Sequence, residues 1–162
     1  MKTLINNFIK QLKEIQDGQI WLNVSFKKKL DLLDEKEVFK RPIPKLHSVA
    51  ELISHLTFWR KEAILKIKTK KGLLTDESEE NWLTIEQLKK IGWKKIQADY
   101  NNSLSEIILL LEQKDDSFLY ETYYDNDYKD DYKYLFLIEG MLHHDIYHLG
   151  QIGMLTKLLS VR

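Results

Sequence analysis

Two of the five histidines in this chain, His144 and His148, stand four residues apart inside the apolar-periodic run that closes the sequence. On a helix that spacing sets both β-carbons on one face, about 5–6 Å apart, which lets two imidazoles share an ion at zinc–nitrogen bond lengths of about 2.0–2.1 Å. Met141, Ile152 and Leu155 continue nearly the same stripe, so the pair is expected to point inward. His55, between Leu52 and Trp59 in an earlier amphipathic run, borders a second buried face. Three inward imidazoles would hold a divalent cation and leave a coordination position open, unlike the closed four-ligand sites that only brace a fold. An open site either activates a bound water, whose pKa drops from about 15.7 to about 7, or takes a thiolate or carboxylate substrate directly. The residues do not choose between these uses, and an inward histidine is also commonly a hydrogen-bonded core residue.

His47, beside a helix cap, and His143, turned about 100° from His144, are expected to be non-ligands. Asp145 and Gln151 flank the pair. They are candidate acceptors for the outer N–H of a metal-bound ring, or partners of a bound water; for Asp145 a solvated surface position is the equal alternative. Gly150 and Gly153 follow no strand and so form no phosphate loop; close helix approach is their expected use.

Helices must position these side chains. Only two prolines and six glycines punctuate 162 residues, and the stretches between them repeat apolar residues every three or four positions, which reads as all-α. A first helix with Leu4, Phe8, Leu12 and Ile15 on its stripe ends near Asp17-Gly18, and a short helical or irregular segment begins at Trp21-Leu22. Pro42-Ile43-Pro44 forbids helix and marks a linker. Ser48 with Glu51 is a capping box, so a second helix is expected from Val49 to Lys68 with Leu52, Leu56, Trp59 and Ala63 inward. Thr84 with Gln87 repeats the box, with Leu83 and Leu88 as a hydrophobic staple, and opens a third helix running to Glu112 through Gly92. Glycine inside a helix costs about 1 kcal/mol relative to alanine; packing is expected to override it. Residues 114–132, rich in Asp and Tyr, lack the helical period and read as a long surface connection, with a lid over the site as the second reading. The last helix is expected from Tyr132 to Leu159. Four amphipathic helices make a four-helix bundle, with a short extra helical segment after the first, in one domain over residues 1–162.

Composition narrows the function classes. Lys plus Arg (25) equals Asp plus Glu (25), so no global field draws the chain to nucleic acid or an anionic membrane. With no cysteine, disulfides, thiolate ligands and a Cys nucleophile are excluded, and a reducing cytoplasm suits the chain. No signal-peptide core or bilayer-spanning run is present, so a soluble, unprocessed, cytoplasmic protein is expected.

The stretches HSVAELISHLTFWR (His47 to Arg60) and HHDIYHLGQIGML (His143 to Leu155) resemble the two most characteristic stretches of the DinB-like family of small bacterial four-helix-bundle proteins. Trp21, the proline linker, Asn81-Trp82 and Trp93 also fit that pattern, so the resemblance covers nearly the whole chain. It implies that His55, His144 and His148 are metal ligands for a divalent ion, zinc or nickel first, with iron or manganese as further candidates. It implies a homodimer and no contact with DNA, and a subset of the family are metal-dependent transferases of small thiols while most members have no established reaction; a metal-dependent enzyme of that type, or a hydrolase using the metal-bound hydroxide of an open site, is the first expectation. A non-catalytic metal- or ligand-binding stress-response dimer is the alternative it leaves open.

Overall fold

The computed structural model describes residues 1–160; the last two residues of the expected 1–162 unit lie outside the described residues. Its helices are α1 (Thr3–Gln16), α2 (Phe26–Leu30), α3 (Val49–Thr69), α4 (Ile85–Ile91), α5 (Trp93–Glu112) and α6 (Tyr134–Ser160). An antiparallel hairpin, β1 (Thr122–Asp125) with β2 (Asp130–Lys133), precedes α6, in the register Thr122↔Lys133 to Asp125↔Asp130. The long helices α1, α3, α5 and α6 form a four-helix bundle: α3 packs on α5 and α6, and α1 packs on the same two helices.

Helix α3 starts where the sequence says it should. Ser48 Oγ accepts from Glu51 N and Glu51 Oε2 accepts from Ser48 N, an arrangement that contributes about 1 kcal/mol. Leu52, Leu56 and Ala63 are buried as expected, while Trp59 is half-buried. Burial extends around the helix to Ile53, Arg60, Ile64 and Lys66, because α3 has neighbours on more than one side.

Three expectations need correction. The buried stripe of α1 is Ile5, Ile9, Leu12 and Ile15; Leu4 is exposed and Phe8 only half-buried. Two apolar rows interleave here, and the one meeting the core lies a residue further on. The helical or irregular segment expected from Trp21-Leu22 is present as a turn that leaves both residues exposed, followed by the short helix α2 after Ser25, whose Oγ accepts from Lys28 N. The third helix is two helices, since Gly92 adopts φ 87° and ψ 143° and ends α4; a residue without a β-carbon turns the chain where a continuous helix was expected. Gly150 and Gly153 make no close helix approach, as a β-carbon at Gly150 would meet nothing within 4 Å and one at Gly153 would meet only Lys29 Cε at 3.7 Å.

Residues 114–132 form the surface connection expected between α5 and α6, with Phe118, Leu119, Tyr123 and Asp125 buried beneath it, and it carries regular structure that its sequence does not announce. A 3₁₀ turn at Asp116–Tyr120 comes first, and the Asp116 carboxylate accepts from the backbone N–H groups of Thr3, Leu4 and Ile5 at 3.0–3.1 Å. Those are orphan donors of α1, which has no cap of its own. The hairpin then buries Tyr123 against Tyr134 and Asp125 against Lys66, whose Nζ donates to Asp125 Oδ2 at 2.8 Å. Backbone bonds Tyr124 N→Lys70 O (3.0 Å) and Gly72 N→Tyr124 O (2.7 Å) tie the chain after α3 to β1. A side chain at Gly72 would press on Glu62 Oε1 and Lys66 Cε, both 2.6 Å from its β-carbon position.

Candidate metal centre

Helix α3 delivers His55, and one turn of α6 delivers His144 and His148, to a common point inside the bundle. His55 Nε2 lies 3.0 Å from His144 Nε2, and His148 Nε2 lies 2.9 Å from the same atom. The ring centroids are 4.5–5.0 Å apart and the planes cross at 71–79°. Nitrogens bound tetrahedrally to one ion at about 2.0–2.1 Å stand about 3.3 Å from one another, so an opening of a few tenths of an ångström accommodates the ion. His55 and His148 are buried and His144 is half-buried.

Hydrogen bonds on the outer sides of the rings decide where the protons are. Asn81 Oδ1 receives Trp59 Nε1 at 3.1 Å, and Asn81 Nδ2 donates to the Asp76 carbonyl at 2.9 Å. An indole N–H can only donate and a backbone carbonyl only accept, so the orientation of this amide is fixed. His55 Nδ1, 2.7 Å from Asn81 Oδ1, must therefore be the donor, and its Nε2 is a bare lone pair in the neutral ring. His148 Nδ1 faces Gln151 Oε1 at 2.7 Å, and with that oxygen as acceptor His148 takes the same tautomer. Two lone pairs thus converge on His144 Nε2, which carries at most one proton to share between them.

Protonating the cluster is unfavourable. Burial pushes His55 down from 6.5 to about 4 and His144 down to about 3, with the neighbouring His148 adding to both and His55 and Arg60 adding to the latter. His148 is lowered as well, first by burial, although Gln151 and Asp145 act the other way. A neutral nitrogen cluster at physiological pH is the form that binds a borderline cation.

Aromatic rings and a buried ion pair frame the cluster. Trp82 lies flat between His47 (centroids 3.8 Å, planes 10° apart) and His55 (4.0 Å, 9°). His47 thereby belongs to a stack, and neither it nor His143 joins the three converging rings. Asp145 is buried and differs from its expected use: its Oδ2 accepts from Arg60 Nη2 at 2.7 Å, with both side chains almost wholly excluded from solvent. Arg60 also reaches the Tyr100 hydroxyl (3.2 Å) and sits 4.1 Å from that ring's centroid. One residue from His144 and five from His55, this pair joins the two helices that carry the imidazoles.

A cavity of about 310 Å³ opens from His55 and His144 between α3, α6 and the hairpin. Tyr123, Asp125, Asp127 and Tyr128 of the Tyr/Asp-rich segment form one wall of it, so that segment borders the site.

Asn81 and Arg60 are the residues that reading for chemistry passed over. Asn81 lies in a polar run that gives no sign of reaching α3. Arg60 carried a signal, since a cation among buried α3 positions requires a partner.

A search of curated proteins and of solved structures finds no match. The family model described as the DinB superfamily matches residues 25–152, a span that holds the three histidines, Asn81, Arg60 and Gln151, and by that match the chain belongs to the DinB superfamily.

Proposed function

We propose that this chain binds one divalent cation through Nε2 of His55, His144 and His148, and that the open side of the ion serves a metal-dependent reaction on a small molecule in the adjoining cavity. The observation that carries this reading is the convergence of the three Nε2 atoms, at 2.9 and 3.0 Å, with the outer N–H groups of His55 and His148 held by Asn81 and Gln151. Zinc or nickel is the first choice, with iron or manganese behind them, because an all-imidazole site selects among these by geometry and supply rather than by donor type. When bound, the ion supplies a Lewis acid with a free coordination position.

The protein's own groups do the rest. Asn81 and Gln151 fix ring tautomers and orientations, Trp82 and Trp59 keep water from one side of His55, and the cavity holds the substrate against the rings. Transfer of a small thiol to an electrophile is the reaction preferred here, followed by hydrolysis. A non-catalytic metal- or ligand-binding stress-response role is the second reading.

The chain is further proposed to act in the cytoplasm as one unit and to pair into a homodimer. Exposed Ile146 and Met154 on α6, beside Leu22 and the bare backbone of Gly150, line a groove open to a second copy. No helix among the described residues is long and apolar enough to cross a membrane.

Elemental analysis of an untagged preparation tests the metal reading, with about one equivalent of metal per chain expected. The His148→Ala variant should lose the metal and keep its helical circular dichroism. Thiol transfer or hydrolysis, measured over a panel of thiols and electrophiles, should disappear with the metal; turnover that persists in metal-free protein contradicts the enzymatic proposal, and metal uptake without any turnover favours the second reading.

A further inference from the structure

The cavity beside the imidazoles has a charge pattern that the metal site does not use. Of its charged lining groups, Lys66 and Asp125 cancel: they form a buried ion pair at 2.8 Å, and the second Asp125 oxygen accepts from the backbone of Asp127 and Tyr128. Asp76 and Asp127 remain. They are adjacent, Asp127 Oδ1 accepting from Asp76 N at 3.0 Å, and neither forms an ion pair among the described residues. Two anions held together in a chain of zero net charge repel one another until a cation comes between them. The same cavity is lined by the aromatic rings of Trp59, Tyr128 and Phe136, and the last two meet edge to face at 6.2 Å. Ring faces next to an anionic rim favour an organic ammonium over a neutral or anionic group of the same size.

We propose that the cavity takes a small molecule with a cationic amine at one end and a metal-seeking donor at the other, the ammonium meeting Asp76 and Asp127 beside the Tyr128 and Phe136 rings and the donor meeting the histidine cluster. The inference rests on the metal reading and specifies the substrate class for that site. Its two ends are physically joined: the Asp76 carbonyl receives Asn81 Nδ2, and Asn81 Oδ1 receives His55 Nδ1, so the loop that bears the rim anion also orients a ring of the cluster. The carboxyl of Asp76 is held above its usual range by burial and by Asp127, the tension that an incoming ammonium relieves.

The test uses zinc-loaded protein and three thiols of similar length, cysteamine, 2-mercaptoethanol and 3-mercaptopropionate, with binding followed by calorimetry. Cysteamine is expected to bind about tenfold tighter than the other two, the sum of a modest ion pair and a cation–π contact. The Asp76→Asn/Asp127→Asn variant keeps the side-chain shapes and the acceptor for Asp76 N; it should bind zinc as before and lose most of the cysteamine preference. If the variant keeps the full preference, thiol acidity accounts for it and the inference is overturned. Equal or tighter binding of 3-mercaptopropionate to the unaltered protein overturns it too. A preparation that takes up no zinc overturns the metal reading and this inference together, whereas zinc uptake without an ammonium preference overturns this inference alone.

Discussion

A neutral imidazole that donates from Nδ1 presents a lone pair at Nε2, and the Asn81 and Gln151 bonds put His55 and His148 in that state. Removing one anchor should loosen the grip on metal without unfolding the bundle. Asn81→Ala is expected to weaken metal affinity about 10–100-fold, measurable by competition with a chromophoric chelator; an unchanged affinity would mean that the His55 ring is oriented by packing alone. The pH dependence follows from the same rings. Their pKa values are depressed on folding, so the unfolded chain takes up protons more readily, and the stability they contribute is complete above 6.5 and is lost as pH falls toward about 4 and then about 3. Metal-free protein should therefore melt several degrees lower at pH 4.5 than at pH 7, and His55→Gln should reduce the difference; a pH-independent melting temperature for the unaltered protein would show that the rings are not buried neutral. At this scale the inward placement of His144 and His148 is legible because an i, i+4 spacing fixes a shared face, and that of His55 because it borders the buried stripe of α3. Asn81 is not, because the reach of a residue in a single 3₁₀ turn to a helix 26 positions away leaves no period in a sequence. For Asp145, sequence showed only a position beside the rings and could not show the cation that claims it.

Among the elements, those with a repeating pattern were read closely and those governed by a contact from elsewhere were not. The capping box at Ser48 and Glu51 marked the start of α3, since both partners lie within four residues. The hairpin before α6 leaves no period in the sequence because its two strands are four residues each and its one buried anion, Asp125, is neutralised by Lys66 of α3. Gly92 shows the limit of propensity: a glycine inside an apolar-periodic run is legible in the sequence, yet only its φ of 87° reveals a break between helices. Gly92→Ala should cost about 1–3 kcal/mol in chemical denaturation, and a neutral result would indicate that α4 and α5 join into one helix at no penalty. The Arg60–Asp145 bridge between α3 and α6 makes a sharper prediction. Arg60→Met strands a buried carboxylate and should cost about 3–5 kcal/mol, whereas adding Asp145→Leu should restore much of that. A double variant no more stable than the single one would contradict this description of the pair.

At the scale of the whole molecule, the bundle was visible because four apolar stripes in a chain of this length have few ways to be buried together. The order of contacts, with α1 and α3 each packed on both α5 and α6, brings one histidine helix against the other, which neither stripe specifies alone. Family membership over residues 25–152 agrees with the architecture and is silent on the reaction, so the account stands on three nitrogens meeting at one point. Anomalous diffraction from crystals of metal-loaded protein, recorded at the absorption edge of the bound metal, measures that point directly. The account predicts a single peak inside the bundle at about 2.0–2.2 Å from Nε2 of His55, His144 and His148; a peak bonded elsewhere, or rings that stay in mutual hydrogen bonds with no ion among them, would contradict it.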